Sequence, residues 1–319
     1  MNPQSTAFIF PGQGSQKPGM GRELYEARPE AREIFDRADE VFAESHPDVS
    51  LSRLCFEGTE EDLRRTSITQ PALFTVSAAA LAVLRAEGVE AGWCAGHSLG
   101  EYTALFAAGS LDFDTALALV AARGAAMERA GRERPGAMAA AIGLDSAAIE
   151  GVCREAAPAG VVVAANWNSP EQVVLSGEVE AVDRAVELAK AAGAKKVVKL
   201  VVGGAFHSPL MAPAAEAMRE LLRNAPIRPP AMQFVANVSA EVVGDPEAIR
   251  QGLIDQITSC VRWTESVICM ERGGVKDSIE VGPGKVLSGL LRRIDRSLIG
   301  HNFFDESDLS RIVGEGKKA

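Results

Sequence analysis

Gly96-His97-Ser98-Leu99-Gly100 sets a serine between two glycines in a G-x-S-x-G pattern. A strand-like run, Trp93-Cys94-Ala95, precedes it, and a helix-like run, Glu101 to Ala108, follows at once. A serine on a sharp strand-to-helix turn has its hydroxyl pushed into the open. The flanking glycines allow strained backbone and close approach of neighbouring segments. The helix start leaves backbone N–H groups free to meet a developing oxyanion. Such a serine is placed to attack an acyl carbonyl. The pentapeptide alone arises by chance in a glycine-rich chain; the strand before it and the helix after it make Ser98 the candidate nucleophile.

A serine nucleophile needs a base, and the chain has four histidines: His46, His97, His207 and His301. His97 adjoins Ser98, and neighbouring side chains on such a turn diverge. His46 lies in a polar loop and His301 near the tail. His207, in Gly203-Gly204-Ala205-Phe206-His207-Ser208-Pro209, follows a predicted strand and is the candidate base by elimination. No aspartate stands where a hydrolase triad would put one, so a backbone carbonyl is the alternative for orienting the imidazole.

Gln13 lies in the loop Pro11-Gly12-Gln13-Gly14-Ser15-Gln16. The loop lacks the Lys-Ser/Thr ending of a phosphate-binding loop. It reads either as a plain tight turn or as a place from which Gln13 helps form an oxyanion hole. Arg123 is surrounded by small and apolar residues from Leu117 to Met127. A guanidinium there is costly unless paired. It reads either as an internal ion pair or as the receiver of a substrate carboxylate.

These residues need a scaffold. With 319 residues, 47% of them hydrophobic, the chain supports a large packed core. The net charge of −10 argues against general nucleic-acid binding. No segment reads as membrane-spanning, and the N-terminus has no basic leader. Five scattered cysteines without C-x-x-C spacing read as reduced thiols in a cytoplasmic protein. The dispersed histidines suggest no metal site.

Thr6 to Phe10 reads as a buried strand. Helical periodicity runs from Tyr25 to Val41 and from Ala72 to Leu84. The alternation predicts an α/β core with a parallel sheet. The middle differs: strand 137–142, helix 146–156, strands 161–165 and 172–175, helix 179–192 and strand 195–202. That β-α-β-β-α-β order is ferredoxin-like. The expected division is therefore a large subdomain, 1–131 with 203–319, and a small insert, 132–202. Met232 to Val238 and Ser278 to Val281 read as further strands, and Leu287 to Ile294 as a helix. The polar tail 315–319 is expected to fray.

At this point the chain resembles the malonyl-CoA:acyl carrier protein transacylases and the acyltransferase domains of fatty-acid and polyketide synthases. The landmarks are Phe10 to Gln16, Thr69-Gln70-Pro71-Ala72, Gly96 to Tyr102, Arg123-Gly124 with Met127, Asn166-Trp167-Asn168-Ser169-Pro170 with Gln172, Gly204 to Met211, and Val281-Gly282-Pro283-Gly284. They occur in the same order along nearly the whole chain. The resemblance implies an α/β-hydrolase-like core with a ferredoxin-like insert. It implies that Ser98 takes a malonyl group from malonyl-CoA, with His207 as base, and passes it to the phosphopantetheine thiol of acyl carrier protein, in support of fatty-acid synthesis. It implies an oxyanion hole from the Leu99 N–H and Gln13, and a carboxylate clamp at Arg123. It further implies that His97, Met127 and Phe206 contact substrate, Phe206 disfavouring an α-methyl branch. Val261-Arg262-Trp263-Thr264 departs from the pattern, since many members carry Gln before the Trp. The resemblance assigns the orienting of His207 to the backbone carbonyl of Arg262. No cofactor or metal is implied, and a monomer is expected.

An acidic carrier meeting an acidic enzyme needs a local basic patch. Lys195, Lys196 and Lys199 form one candidate and Arg292, Arg293 and Arg296 another; either also reads as an ordinary solvated face. Rival functions are an acyltransferase of a polyketide assembly line, an acyl hydrolase that clears stalled carriers, and a non-catalytic carrier-binding subunit.

Overall fold

Strand β1 (Thr6–Phe10) is buried along its whole length, as expected of a central strand covered on both faces. In the computed structural model, which describes residues 1–316, it lies in the middle of a five-stranded sheet. Its neighbours are β2 (Trp93–Gly96) and, on the other side, the strand Asp277–Val281. Between these in the chain come β3 (Gly136–Ile142), β4 (Val162–Ser169), β5 (Gln172–Glu178), β6 (Lys196–Lys199) and β7 (Gln233–Val235). The strand Asp277–Val281 is thus β8, and β9 is Ile299–Phe303. The large sheet has the order β7-β2-β1-β8-β9, with every pairing parallel. Register sets Phe10 beside Gly96 and Ile9 beside Glu280, so the loops after β1, β2 and β8 leave the sheet together. Open parallel sheets build their sites at this carboxyl edge.

The helix Thr66–Ala86 runs through the core and packs on the helix Phe113–Glu133. The first is long and apolar enough to cross a membrane, a feature the sequence reading did not register. Nevertheless 89% of its most apolar stretch is buried inside the fold. A helix apolar on all sides is here a central core helix. Its expected start at Ala72 came six residues late because Pro71, which reads as a helix start, sits inside it. The periodic run from Tyr25 to Val41 is two helices, Arg22–Ala27 and Pro29–Ala43. Between them Arg28 is extended, as the residue before a proline prefers.

The second sheet is antiparallel, in the order β4-β5-β3-β6. That is the ferredoxin-like arrangement its β-α-β-β-α-β sequence predicts. It has its own core, a cluster that includes Leu175 of β5, Ile149 and Val152 of the helix Ser146–Ala156 and Val182 of the helix Val179–Ala191. Strand β6 ends at Lys199, so 200–202 are not strand as expected. They form the connection back to the large sheet, with Val201 85% exposed. Two backbone bonds tie the sheets' surroundings together, Trp167 N–H to Val261 O and Val261 N–H to Ala165 O, each 2.9 Å. The last described element is the helix Glu306–Gly316; most of the segment expected to fray, 317–319, lies outside the described residues.

Candidate active site

Strand β2 ends at Gly96 and a helix begins at Gly100, so three residues make the whole reversal. Ser98 takes a φ of 53°, a left-handed conformation that costs a non-glycine residue about 1–3 kcal/mol. Both flanking glycines are required. A Cβ on Gly96 would lie 1.8 Å from Gly100 O, and one on Gly100 would lie 2.1 Å from Phe10 O. Asn237, just past β7, holds the strained turn. Its Oδ1 accepts from Ser98 N–H at 2.8 Å, and its Nδ2 donates to Gly96 O at 2.6 Å.

His207 also has a positive φ, 57°. Its Nε2 lies 2.7 Å from Ser98 Oγ and its Nδ1 2.8 Å from the carbonyl oxygen of Gln256. A carbonyl only accepts, so Nδ1 carries the hydrogen and Nε2 is left to accept a hydrogen bond from the serine hydroxyl. Burial, and then the charge of Arg123, push the imidazole pKa down to about 3; the backbone bond to Gln256 works against them. The ring is therefore neutral near pH 7, with its Nε2 lone pair facing the hydroxyl.

The orienting carbonyl corrects one expectation. Arg262 precedes the helix Trp263–Arg272, and its carbonyl is committed to that first turn, accepting from Ser266 N–H and Ser266 Oγ at 2.9 Å each. Its guanidinium reaches Glu265, Val238 O and Ser239 O instead. Gln256 ends the helix Pro246–Gln256, where carbonyls lack intrahelical partners, so its oxygen is open to His207.

Arg123 is fully buried, and it makes no ion pair among the described residues. Its Nη1 donates to Gln70 Oε1 at 2.8 Å. Its Nη2 donates to Gln256 Oε1 at 2.7 Å and to Ser98 Oγ at 3.1 Å. Its Nε is buried with no hydrogen-bond partner among the described residues, and its Cζ lies 5.8 Å from the ring centre of Tyr102. Every direct partner among the described residues is thus neutral. Burial lowers its pKa, while Tyr102 and Glu101 pull the other way. An anionic ligand would complete this environment.

A cavity of about 380 Å³ opens beside these groups. Gln13, Ser98, Leu99 and Arg123 line it. So do Met138 and Val174 of the small sheet and Val286 and Leu290 of the helix Val286–Ile294. The backbone N–H groups of Leu99 and Gln13 donate to nothing among the described residues, which leaves both open to an oxyanion. Phe206, 6% exposed, lines the cavity next to His207. Met127 accepts from Gln70 Nε2 at 3.4 Å. His97 lines the cavity too, but its Nε2 pairs with Asn168 Oδ1 on β4 at 2.8 Å rather than with Ser98, and burial lowers its pKa. Among the described residues, no group of three or more His, Cys, Asp or Glu is placed to hold a metal ion.

Sequence reasoning missed Gln256 and Asn237 altogether, and it gave Gln70, Glu101 and Asn168 no role beyond their landmarks. Gln256 acts through its carbonyl, which no residue type reveals. Asn237 carried a usable signal: a polar residue just past a parallel strand stands at the carboxyl edge.

The family model for the acyl transferase domain matches residues 7–315. The chain is 46% identical to the malonyl CoA-acyl carrier protein transacylase of Bacillus subtilis over 92% of this chain and 91% of that one. It is 44% identical to the Escherichia coli K12 protein of the same name over 90% of this chain and 92% of that one. Among solved structures, the malonyl-CoA:acyl carrier protein transacylase of Xanthomonas oryzae superposes with a TM-score of 0.94 at 42% identity, covering 99% of both chains. A type II polyketide malonyl-transacylase, solved in complex with its acyl-carrier protein, gives 0.93 at 40% identity over 97% of this chain and 99% of that one. The chain belongs to the acyl transferase family that contains the malonyl CoA-acyl carrier protein transacylases.

Proposed function

We propose that this acyltransferase moves the malonyl group of malonyl-CoA to the phosphopantetheine thiol of acyl carrier protein, supplying fatty-acid synthesis. The observation that carries the reading is Arg123: a buried guanidinium whose direct partners among the described residues are all neutral, 3.1 Å from Ser98 Oγ. A malonyl carboxylate would meet it while the thioester carbon lies over the serine.

The geometry supports a two-step reaction through a covalent intermediate on Ser98. Ser98 Oγ attacks the thioester carbon as its proton passes to His207 Nε2, and the Leu99 N–H and Gln13 hold the oxyanion. Collapse breaks the C–S bond, and the departing CoA thiolate takes the proton from Nε2. The carrier's thiol next gives its proton to His207 and attacks the Ser98 ester. Collapse returns the proton to Ser98 and leaves malonyl on the carrier. Ser98 supplies the nucleophile and His207 every proton transfer, so these steps call on no cofactor. The substrate's carboxylate also offsets Arg123, one of the two chief causes of the low His207 pKa, and so strengthens the base when substrate binds.

The cytoplasm and a monomeric state fit this reading. Of the two basic patches, Arg292, Arg293 and Arg296 are the better carrier platform. Arg293 Nη1 donates to Gln172 Oε1 at 3.1 Å, and Gln172 lines the cavity. Lys195 and Lys199 are paired with Glu171 and Asp183. The test is intact-protein mass spectrometry after brief exposure to malonyl-CoA, with acetyl- and methylmalonyl-CoA alongside. A malonyl increment that disappears on adding acyl carrier protein is expected; no increment with any thioester would overturn the proposal.

A further inference from the structure

Glu101 lies in the first turn of the helix Gly100–Ala107 that follows the nucleophile, and it is 2% exposed. Its Oε1 accepts from the backbone N–H of Asn237 at 3.0 Å, and its Oε2 accepts from Nε2 of Gln256. Each partner then grips a different part of the site. Asn237 takes the N–H of Ser98 and the carbonyl of Gly96. Gln256 donates to the Ser98 carbonyl at 2.9 Å, accepts from Arg123, and offers its own carbonyl to His207.

We propose that Glu101 is a positioning residue: by fastening Asn237 and Gln256 in place, it sets Ser98, His207 and Arg123 in register for acyl transfer. The inference rests on the function proposed above. Its physical basis is a donor count. Two N–H donors from separate segments converge on Glu101, and a carboxylate answers both because each oxygen only accepts. A glutamine in its place would offer one oxygen and one NH2, setting a donor against a donor. A buried carboxylate is costly. Glu101 also sits within electrostatic reach of Arg123.

Protonation adds a signature that mere packing lacks. Burial raises the Glu101 pKa to about 7, against the pull of Asn237, Gln256 and Arg123. The ionisable groups around it are Arg123 on the helix Phe113–Glu133, Tyr102 on its own helix, and His207 through Gln256. The His207 pKa lies far lower, at about 3. The proposal assigns an acylation limb near neutral pH to Glu101, whose protonated oxygen would turn a donor toward a donor; loss of the limb in Glu101→Gln distinguishes it from one set by His207, whose pKa the bound carboxylate raises.

The test is the single-turnover rate of malonyl-enzyme formation from pH 5.5 to 8.5, in wild type and Glu101→Gln, with thermal unfolding to verify the fold. Wild type forming the adduct establishes the underlying reading independently. The proposal expects the wild-type rate to fall below about pH 7. It expects Glu101→Gln to be slower at pH 8 by roughly 10- to 100-fold, the scale of a small misplacement of reacting groups, and to lose the limb. A folded Glu101→Gln enzyme within twofold of wild type at pH 8, or one that keeps the wild-type limb, overturns it. Should that variant not fold, Glu101→Asp keeps the charge on a shorter arm; a rate at pH 8 equal to wild type overturns the proposal equally.

Discussion

Arg123 Nη2 and Ser98 Oγ lie 3.1 Å apart, so the cation that would bind the acyl group's carboxylate rests on the proposed nucleophile itself. The hydroxyl is a donor to His207 Nε2 and an acceptor from Arg123 at once. On the proposed reading, an arriving carboxylate would compete for the guanidinium and free the oxygen lone pair for attack. Arg123→Ala should therefore hurt malonyl-CoA far more than acetyl-CoA. Losing charge-assisted hydrogen bonds worth about 2–3 kcal/mol lowers the malonyl/acetyl ratio of kcat/KM by roughly 30- to 150-fold. Steady-state kinetics with both thioesters measures it, and an unchanged ratio refutes the clamp.

Ser98→Ala should form no malonyl adduct while unfolding at nearly the wild-type temperature or above it. The Oγ contacts are lost, but the turn is held by backbone bonds to Asn237 and Gln256 that do not use the hydroxyl. A labelled adduct surviving in this variant would move the nucleophile elsewhere.

Phe206 abuts His207 in the chain and lines the cavity with its ring almost wholly buried. Replacing it with valine opens room beside the acyl group. The expected result is a gain for methylmalonyl-CoA relative to malonyl-CoA of about 1–3 kcal/mol, the usual scale of one pocket contact. Competition between the two thioesters reads it directly; no change in the ratio would mean that the ring packs without selecting.

Much of this was legible in residue types. The G-x-S-x-G turn declared itself because glycine is needed on both sides of a left-handed serine, and His207 emerged because four histidines left little choice. The small sheet was readable because its strands and helices alternate with clean periods. What stayed hidden acts through backbone or through burial. The Gln256 carbonyl could have belonged to any residue, and the assignment to Arg262 failed because that carbonyl already serves a helix. Asn237 and Glu101 meet although 136 positions separate them. No local pattern encodes such a meeting.

The burial of Glu101 also predicts how stability varies with pH. The Glu101 pKa stands at about 7 in the folded protein, against an ordinary value of 4.5. The unfolded chain thus releases this proton first, and stability falls as pH rises from 4.5 to 7. His207 does the opposite. Its folded pKa of about 3 lies below the ordinary 6.5, so the unfolded chain binds the extra proton and stability rises with pH between those values. From pH 4.5 to 6.5 the two contributions oppose each other. Glu101→Gln removes one of them, so the stability of the variant relative to wild type should climb as pH rises through that window. The slope is at most about 1.4 kcal/mol per pH unit for one proton. Urea unfolding of both proteins at half-unit pH steps measures the difference. A difference that stays constant from pH 4.5 to 7 would mean that Glu101 holds the same charge in the folded and unfolded chain, and that its burial does not shift its titration.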